Sequence, residues 1–112
     1  SEYPLKFKNA NLLAIRKLKK EFNSHEIGYS DHTIGNLACL IAVSLGATVI
    51  EKHFTLDKRM RGTDHILSAD YNDLCVMRNE IEKISELLGN EEKKPTKNEL
   101  KIKKFMYSRF KN

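Results

Sequence analysis

Near the start of the chain the apolar positions Leu12, Ile15, Leu18 and Phe22 recur at steps of three and four, with Lys17, Lys19, Lys20 and Glu21 filling the gaps. That spacing predicts an amphipathic helix over 12–22 with one face turned to a core. Asn11 stands where an N-cap would. Residues 26–31 are short and run at once into an apolar stretch, and they read as a strand. The stretch 33–45 is apolar on nearly all sides (Ile34, Leu37, Ala38, Leu40, Ile41, Ala42, Val43, Leu45). It predicts a helix packed on more than one side, capped by Asp31 or Thr33 and followed by Gly46. Residues 47–54, centred on Thr48, Val49 and Ile50, form the clearest strand. A charged loop over 55–67 holds Gly62. Over 69–88, Leu74, Met77, Ile81, Ile84 and Leu88 predict a third helix, with Ser68 as its cap and Gly89 at its end. Residues 90–112 carry Pro95, seven lysines and Arg109, and read as a linker or weakly structured extension.

Strands alternating with helices imply βα units and a parallel sheet. Two strands cannot bury helices this apolar. The expected fold is therefore the C-terminal part of a larger α/β fold, most simply the last units of a TIM (β/α)₈ barrel, incomplete in this chain. The first residue is Ser1 and not a methionine, which fits an internal piece of a longer protein. The division expected is 1–89 for the barrel part and 90–112 for the extension.

Composition narrows this picture only slightly. With 112 residues, 40% hydrophobic and 31% charged, the chain has the makeup of one folded domain or part of one. No apolar run approaches the ~20 residues of a membrane span, and the N-terminus lacks a signal-peptide pattern, so a cytoplasmic setting is expected. Cys39 and Cys75 have no metal-type spacing and read as two reduced, buried thiols. Eight of the 20 basic residues lie within 93–112 against one acid there, Glu99. The net charge of +5 thus belongs to the tail, where a solvated surface accounts for it without a nucleic-acid site.

The chemistry sits at the strand ends. Side chains alternate along a strand, so Gly28, Ser30 and His32 share a face of the first strand, and Val49, Glu51 and His53 share a face of the second. Ser30-Asp31-His32 and Glu51-Lys52-His53 both lie at C-terminal strand ends, where parallel α/β folds bind ligands. His32 and His53 are one strand repeat apart, and strands lie ~4.8 Å apart. Two imidazoles there could converge on one divalent cation, or each could be a hydrogen-bonded structural residue. Asp64, in Gly62-Thr63-Asp64-His65, could accept hydrogen bonds from a polyol or act as a base; it also suits a plain turn beside Gly62. Ser30 could donate to an anion near the next helix start or serve as a turn serine. No GxGxxG, GxxxxGK[ST], HExxH or GxSxG motif occurs.

Taken together, Ile27-Gly28-Tyr29-Ser30-Asp31-His32-Thr33-Ile34-Gly35, Leu45-Gly46-Ala47, Ile50-Glu51-Lys52-His53-Phe54-Thr55-Leu56-Asp57 and Gly62-Thr63-Asp64-His65 with Ser68 resemble the sialic acid synthase family. That family includes N-acetylneuraminate, legionaminate, pseudaminate and spore-coat polysaccharide synthases. The resemblance covers residues 1–88 and rests on the order and spacing of four motifs. It implies a TIM barrel followed by an antifreeze-like domain. It implies condensation of phosphoenolpyruvate with an open-chain N-acetyl amino sugar such as N-acetylmannosamine, giving a nonulosonic acid plus phosphate for cell-surface polysaccharide. By the same resemblance, His32 and His53 are ligands of a divalent metal, Mn²⁺ or Mg²⁺, and Ser30 contacts the phosphoenolpyruvate phosphate. Asp64 and Tyr3 contact the amino sugar, Glu51 belongs to the Glu-Lys-His motif, and the full-length protein is a homodimer; Asp64 and Glu51 are the candidate catalytic carboxylates. The family's first barrel half, with its phosphate-binding lysines, has no counterpart here. Where the family has an Arg-Arg-Ser segment, this chain reads Lys104-Phe105-Met106-Tyr107-Ser108-Arg109-Phe110. The isolated chain is accordingly expected to be inactive. The alternatives are a non-catalytic metal- or sugar-binding accessory protein of the same fold, or a basic nucleic-acid binder resting on the tail alone.

Overall fold

A computed structural model describes residues 2–110. After a 3₁₀ turn at Phe7–Asn9, the elements are α1 (Ala14–Glu21), β1 (Gly28–Asp31), α2 (Leu37–Ser44), β2 (Val49–Lys52), α3 (Tyr71–Leu88) and α4 (Lys97–Arg109). The strands β1 and β2 pair in parallel, with Gly28 opposite Val49, Tyr29 opposite Ile50, Ser30 opposite Glu51 and Asp31 opposite Lys52. The parallel βα order expected from the sequence is present. Both strands are shorter than expected. Beyond Lys52 the chain turns to another partner: Phe54 bridges Ala69, with the Thr55 amide donating to the Ala69 carbonyl at 2.9 Å and the Ala69 amide donating to His53 at 2.7 Å.

Packing follows the strand pleat. Tyr29 and Ile50 face inward and, with Leu12, Ile27 and Leu45, surround a core of Ile15, Ala42 and Ala47. The α2–β2 turn requires Gly46 for its backbone, with the flexible end of Lys19 lying over it. The glycine's φ is +102°, and a Cβ there would lie 2.7 Å from Cδ of Lys19. On the same inner face Asp31 meets Lys52 Nζ at 2.6 Å, with side-chain exposures of 0% and 3%. This ion pair was not legible in the sequence, where Asp31 read as a helix cap.

Several local expectations are corrected. The second helix begins at Leu37, not at Thr33, because Gly35 takes φ +82°, outside the helical region, while the Asp31 carboxylate is turned inward to Lys52 and to the amide of Thr33. Neither Asp31 nor Thr33 caps it. Asn11 adopts φ 46° and does not cap α1, which starts at Ala14. Ser68 does not cap α3; its hydroxyl donates to the Asp64 carbonyl at 2.6 Å. The cap is Asp70, in a reciprocal capping box with Asp73. Helix α2 packs on both β1 and α3, as its all-round apolar sequence predicts; Ala38, Cys39 and Ala42 are buried, whereas Leu37 and Ile41 are exposed. Its small residues make the close contact, Leu40 and Val43 are half-buried, and Leu37 and Ile41 face outward. Cys75 is exposed and only Cys39 is buried. Most of the supposed weak extension is helix α4, opened by a second capping box between Thr96 and Glu99; its tip at Lys111 and Asn112 lies outside the described residues. Among the described residues no helix is long and apolar enough to cross a membrane.

Lys58 ties the loop after β2 to the start of α3 through ion pairs to Asp73 and, at 3.6 Å, Asp70. Burial pushes the Asp73 carboxyl up, but Lys58 and the Asp70 amide outweigh it and hold it below the ordinary carboxylate range. A carboxyl lowered in the fold contributes stability above its unfolded pKa of ~3.9 and loses it as pH falls through the folded value. Urea unfolding should therefore show stability falling below about pH 4, with a shallower fall in Asp73→Asn. Burial and then the Asp31 charge push the Cys39 thiol up to about 12. An aromatic disulfide reagent at pH 8 should label Cys75 at once and Cys39 only on unfolding.

Candidate functional site

Where β1 and β2 end, the next residue of each turns back to the face opposite the core. Ser30 and Glu51 on that face are exposed, and the Ser30 hydroxyl donates to Glu51 Oε1 at 2.6 Å. One pleat further on, His32 and His53 stand side by side, ring centres 5.2 Å apart and planes at 84°. The N-terminal segment folds over them. The Leu5 amide donates to the His32 carbonyl at 2.8 Å, and the Tyr3 ring lies 4.4 Å from the His32 ring and 5.8 Å from the His53 ring.

The loop after β2 supplies the other wall. Asp64 Oδ2 lies 3.7 Å from His53 Nδ1, which leaves Nε2 as the His53 nitrogen free of that contact. The Thr63 hydroxyl donates to Asp64 Oδ1 at 2.9 Å. A cleft of about 320 Å³ opens here, lined by His53, Phe54, Gly62, Thr63, Asp64, His65 and Ser68. His65 was not singled out in the sequence. Its Nδ1 lies 2.8 Å from the buried hydroxyl of Thr55, which also reaches the Asp57 carbonyl at 3.1 Å. Gly62 makes room for that ring: its φ is +137°, and a Cβ would come within 3.0 Å of His65 Cδ2.

All six sequence-predicted residues (Tyr3, Ser30, His32, Glu51, His53 and Asp64) thus lie at one end of the strand pair. Ser30 bonds to Glu51, Tyr3 packs on both imidazoles, and Asp64 faces His53. Among the described residues no three His, Cys, Asp or Glu side chains converge on a common point. The chain itself offers two nitrogen ligands, and two imidazoles bound to one cation at ~2.1 Å and a tetrahedral angle have centres roughly 5 Å apart. The observed spacing of 5.2 Å suits that arrangement.

The sequence profile of the NeuB family matches residues 1–93. The chain belongs to the NeuB family. It is 52% identical over 99 residues to the Methanocaldococcus jannaschii protein MJ1065, covering 88% of this chain and 29% of that one. It is 45% identical over 103 residues to the N,N'-diacetyllegionaminic acid synthase of Legionella pneumophila, covering 92% of this chain and 29% of the synthase. The crystal structure of the N-acetylneuraminic acid synthetase of Leptospira borgpetersenii, in complex with citrate, superposes with a TM-score of 0.81 at 37% identity, covering 100% of this chain and 39% of that one. The chain therefore spans about three tenths of the length of these two NeuB-family sequence relatives.

Gly62→Ala should strain the loop and push the His65 ring off Thr55. We expect a loss of about 1–3 kcal/mol in urea unfolding, together with faster exchange of the His65 ring proton by NMR.

Proposed function

We propose that this chain carries the metal-holding rim of a nonulosonic acid synthase, which joins phosphoenolpyruvate to an N-acetyl amino sugar and releases phosphate. The carrying observation is the pairing of His32 and His53 at one strand end, with ring centres 5.2 Å apart. NeuB-family membership and the synthase names of its relatives support the same reading. His32 and His53 would hold the divalent ion, Mn²⁺ or Mg²⁺; two neutral imidazoles suit several first-row divalent metals. When bound, that ion supplies Lewis-acid polarisation of a carbonyl oxygen.

The remaining roles belong to side chains of this chain. Ser30, whose hydroxyl proton goes to Glu51 at 2.6 Å in the free site, would turn that single proton to a phosphate oxygen, and Glu51 is a carboxylate able to take up a proton at the rim. Asp64, at the mouth of the cleft beside His53, accepts hydrogen bonds from the sugar hydroxyls. Tyr3, half-exposed beside both imidazoles, contacts the amino sugar. The exposed apolar side chains of Leu37 and Ile41 on α2, with Ile34 just ahead of it, fit packing against further βα units of a (β/α)₈ barrel.

The test is a chimera in which residues 3–88 replace the matching segment of the Legionella synthase. With phosphoenolpyruvate, the acceptor amino sugar and Mn²⁺ it is expected to release phosphate, and His32→Ala or His53→Ala is expected to lower kcat ~100-fold or more. A folded chimera that releases no phosphate, or histidine variants as active as their parent, would overturn the proposal.

A further inference from the structure

Each imidazole of the pair directly follows one member of the buried ion pair. Asp31 precedes His32, Lys52 precedes His53, and the ladder sets Asp31 opposite Lys52. The Asp31 carboxylate gathers donors from several parts of the fold. Lys52 Nζ lies at 2.6 Å, the Tyr29 hydroxyl and the Thr33 amide at 3.0 Å, the Thr33 hydroxyl at 3.2 Å and the Cys39 thiol at 3.3 Å. Lys52 also donates to the Thr33 carbonyl at 2.8 Å, fastening β2 to the turn that follows His32.

Stability alone does not call for this arrangement. A buried ion pair is often replaced by packed neutral side chains with no loss of stability, because the desolvation of two charges offsets most of their attraction. A neutral pair cannot fix direction and distance in the same way. A one-residue slip of a strand moves every side chain to the other face, and a fraction of that slip would separate His32 from His53. The ladder is pinned at its last two rows, by Ser30 and Glu51 on the open face and by Asp31 and Lys52 on the covered one.

We propose that Asp31 and Lys52 are positioning residues for the His32–His53 pair: their buried contact sets where the two strands stop relative to each other, and so holds the imidazoles at the separation one shared divalent cation requires. This rests on the reading of His32 and His53 as the metal-holding residues.

The experiment uses the full 112-residue chain and two kinds of variant. Asp31→Asn/Lys52→Met removes both charges at near-constant volume and leaves no unpaired buried ion, so it is expected to fold, as checked by circular dichroism. Asp31→Glu keeps the charge pair and displaces the carboxylate by one methylene; it carries the comparison if the double variant does not fold. The first readout is metal-free: nuclear Overhauser contacts between the His32 and His53 rings, expected in the parent and lost in both variants. The second is titration with Co²⁺ alone, followed by ligand-field absorption. The variants are expected to bind 10–100-fold more weakly, in the range known for outer-shell partners of metal ligands, and His32→Ala and His53→Ala to abolish the response. A folded variant that keeps both the ring contacts and the parental Co²⁺ affinity overturns the proposal. If the parent takes up no Co²⁺, the metal reading fails. The ring contacts then decide the positioning claim alone: lost in the variants, they uphold it; unchanged, they overturn it.

Discussion

The contact between the Asp31 carboxylate and the Lys52 ammonium is the constraint on which the rest of this structure hangs. Two charges are withdrawn from water, with exposures of 0% and 3%. Such a withdrawal costs several kcal/mol per ion unless geometry and further hydrogen bonds compensate. Here they do: the carboxylate accepts from Lys52, Tyr29, Thr33 and Cys39, and the ammonium donates a second bond to the Thr33 carbonyl. The same contact spans the last paired row of β1 and β2, next to the two histidines. It joins the stability of the covered face to the geometry of the open one.

The two faces of the strand pair divide the work. On the covered face, Tyr29 and Ile50 meet a core of small and branched residues, and Ala38, Cys39 and Ala42 let α2 lie close. On the open face, Ser30, Glu51, His32 and His53 are held by one another and by the Tyr3 ring. Tyr3 reaches them because Leu5 is tied through its backbone to His32. The loop after β2 adds Asp64 and His65, and Lys58 anchors that loop to the capped start of α3.

Much of this was legible in the residues. Periodicity located α1 and α3, a short segment before an apolar helix and a β-branched centre located the strands, and pleat parity grouped Ser30 with His32 and Glu51 with His53. What was misread has a common cause. A short polar residue before a helix pattern has several possible partners, and local sequence cannot rank them. Asp31 looked like a cap until Lys52, 21 residues on, claimed its carboxylate. Ser68 looked like a cap, yet its hydroxyl bonds back to Asp64 while Asp70 and Asp73 cap α3. The helix α4 was hidden by charge: its many lysines suggested a solvated tail, whereas the Thr96-x-x-Glu99 box was the readable start signal. Tyr3 could be attached to the site only through resemblance, since no periodicity ties a residue so near the chain start to a strand end.

The loop over 55–67 differs from the connection between the paired rows in one further respect. The stretch from Asp31 to Lys52 contains a helix and a tight turn at Gly46 crossed by Lys19, so its length is set by packing. The loop enters the wall of the cleft without belonging to the ladder, and much of it is open to solvent. Changing its tip would reshape one side of the cleft while leaving the paired rows of β1 and β2 outside the change. Sequence change there can thus alter the shape of the cleft without rebuilding the anchor beneath it.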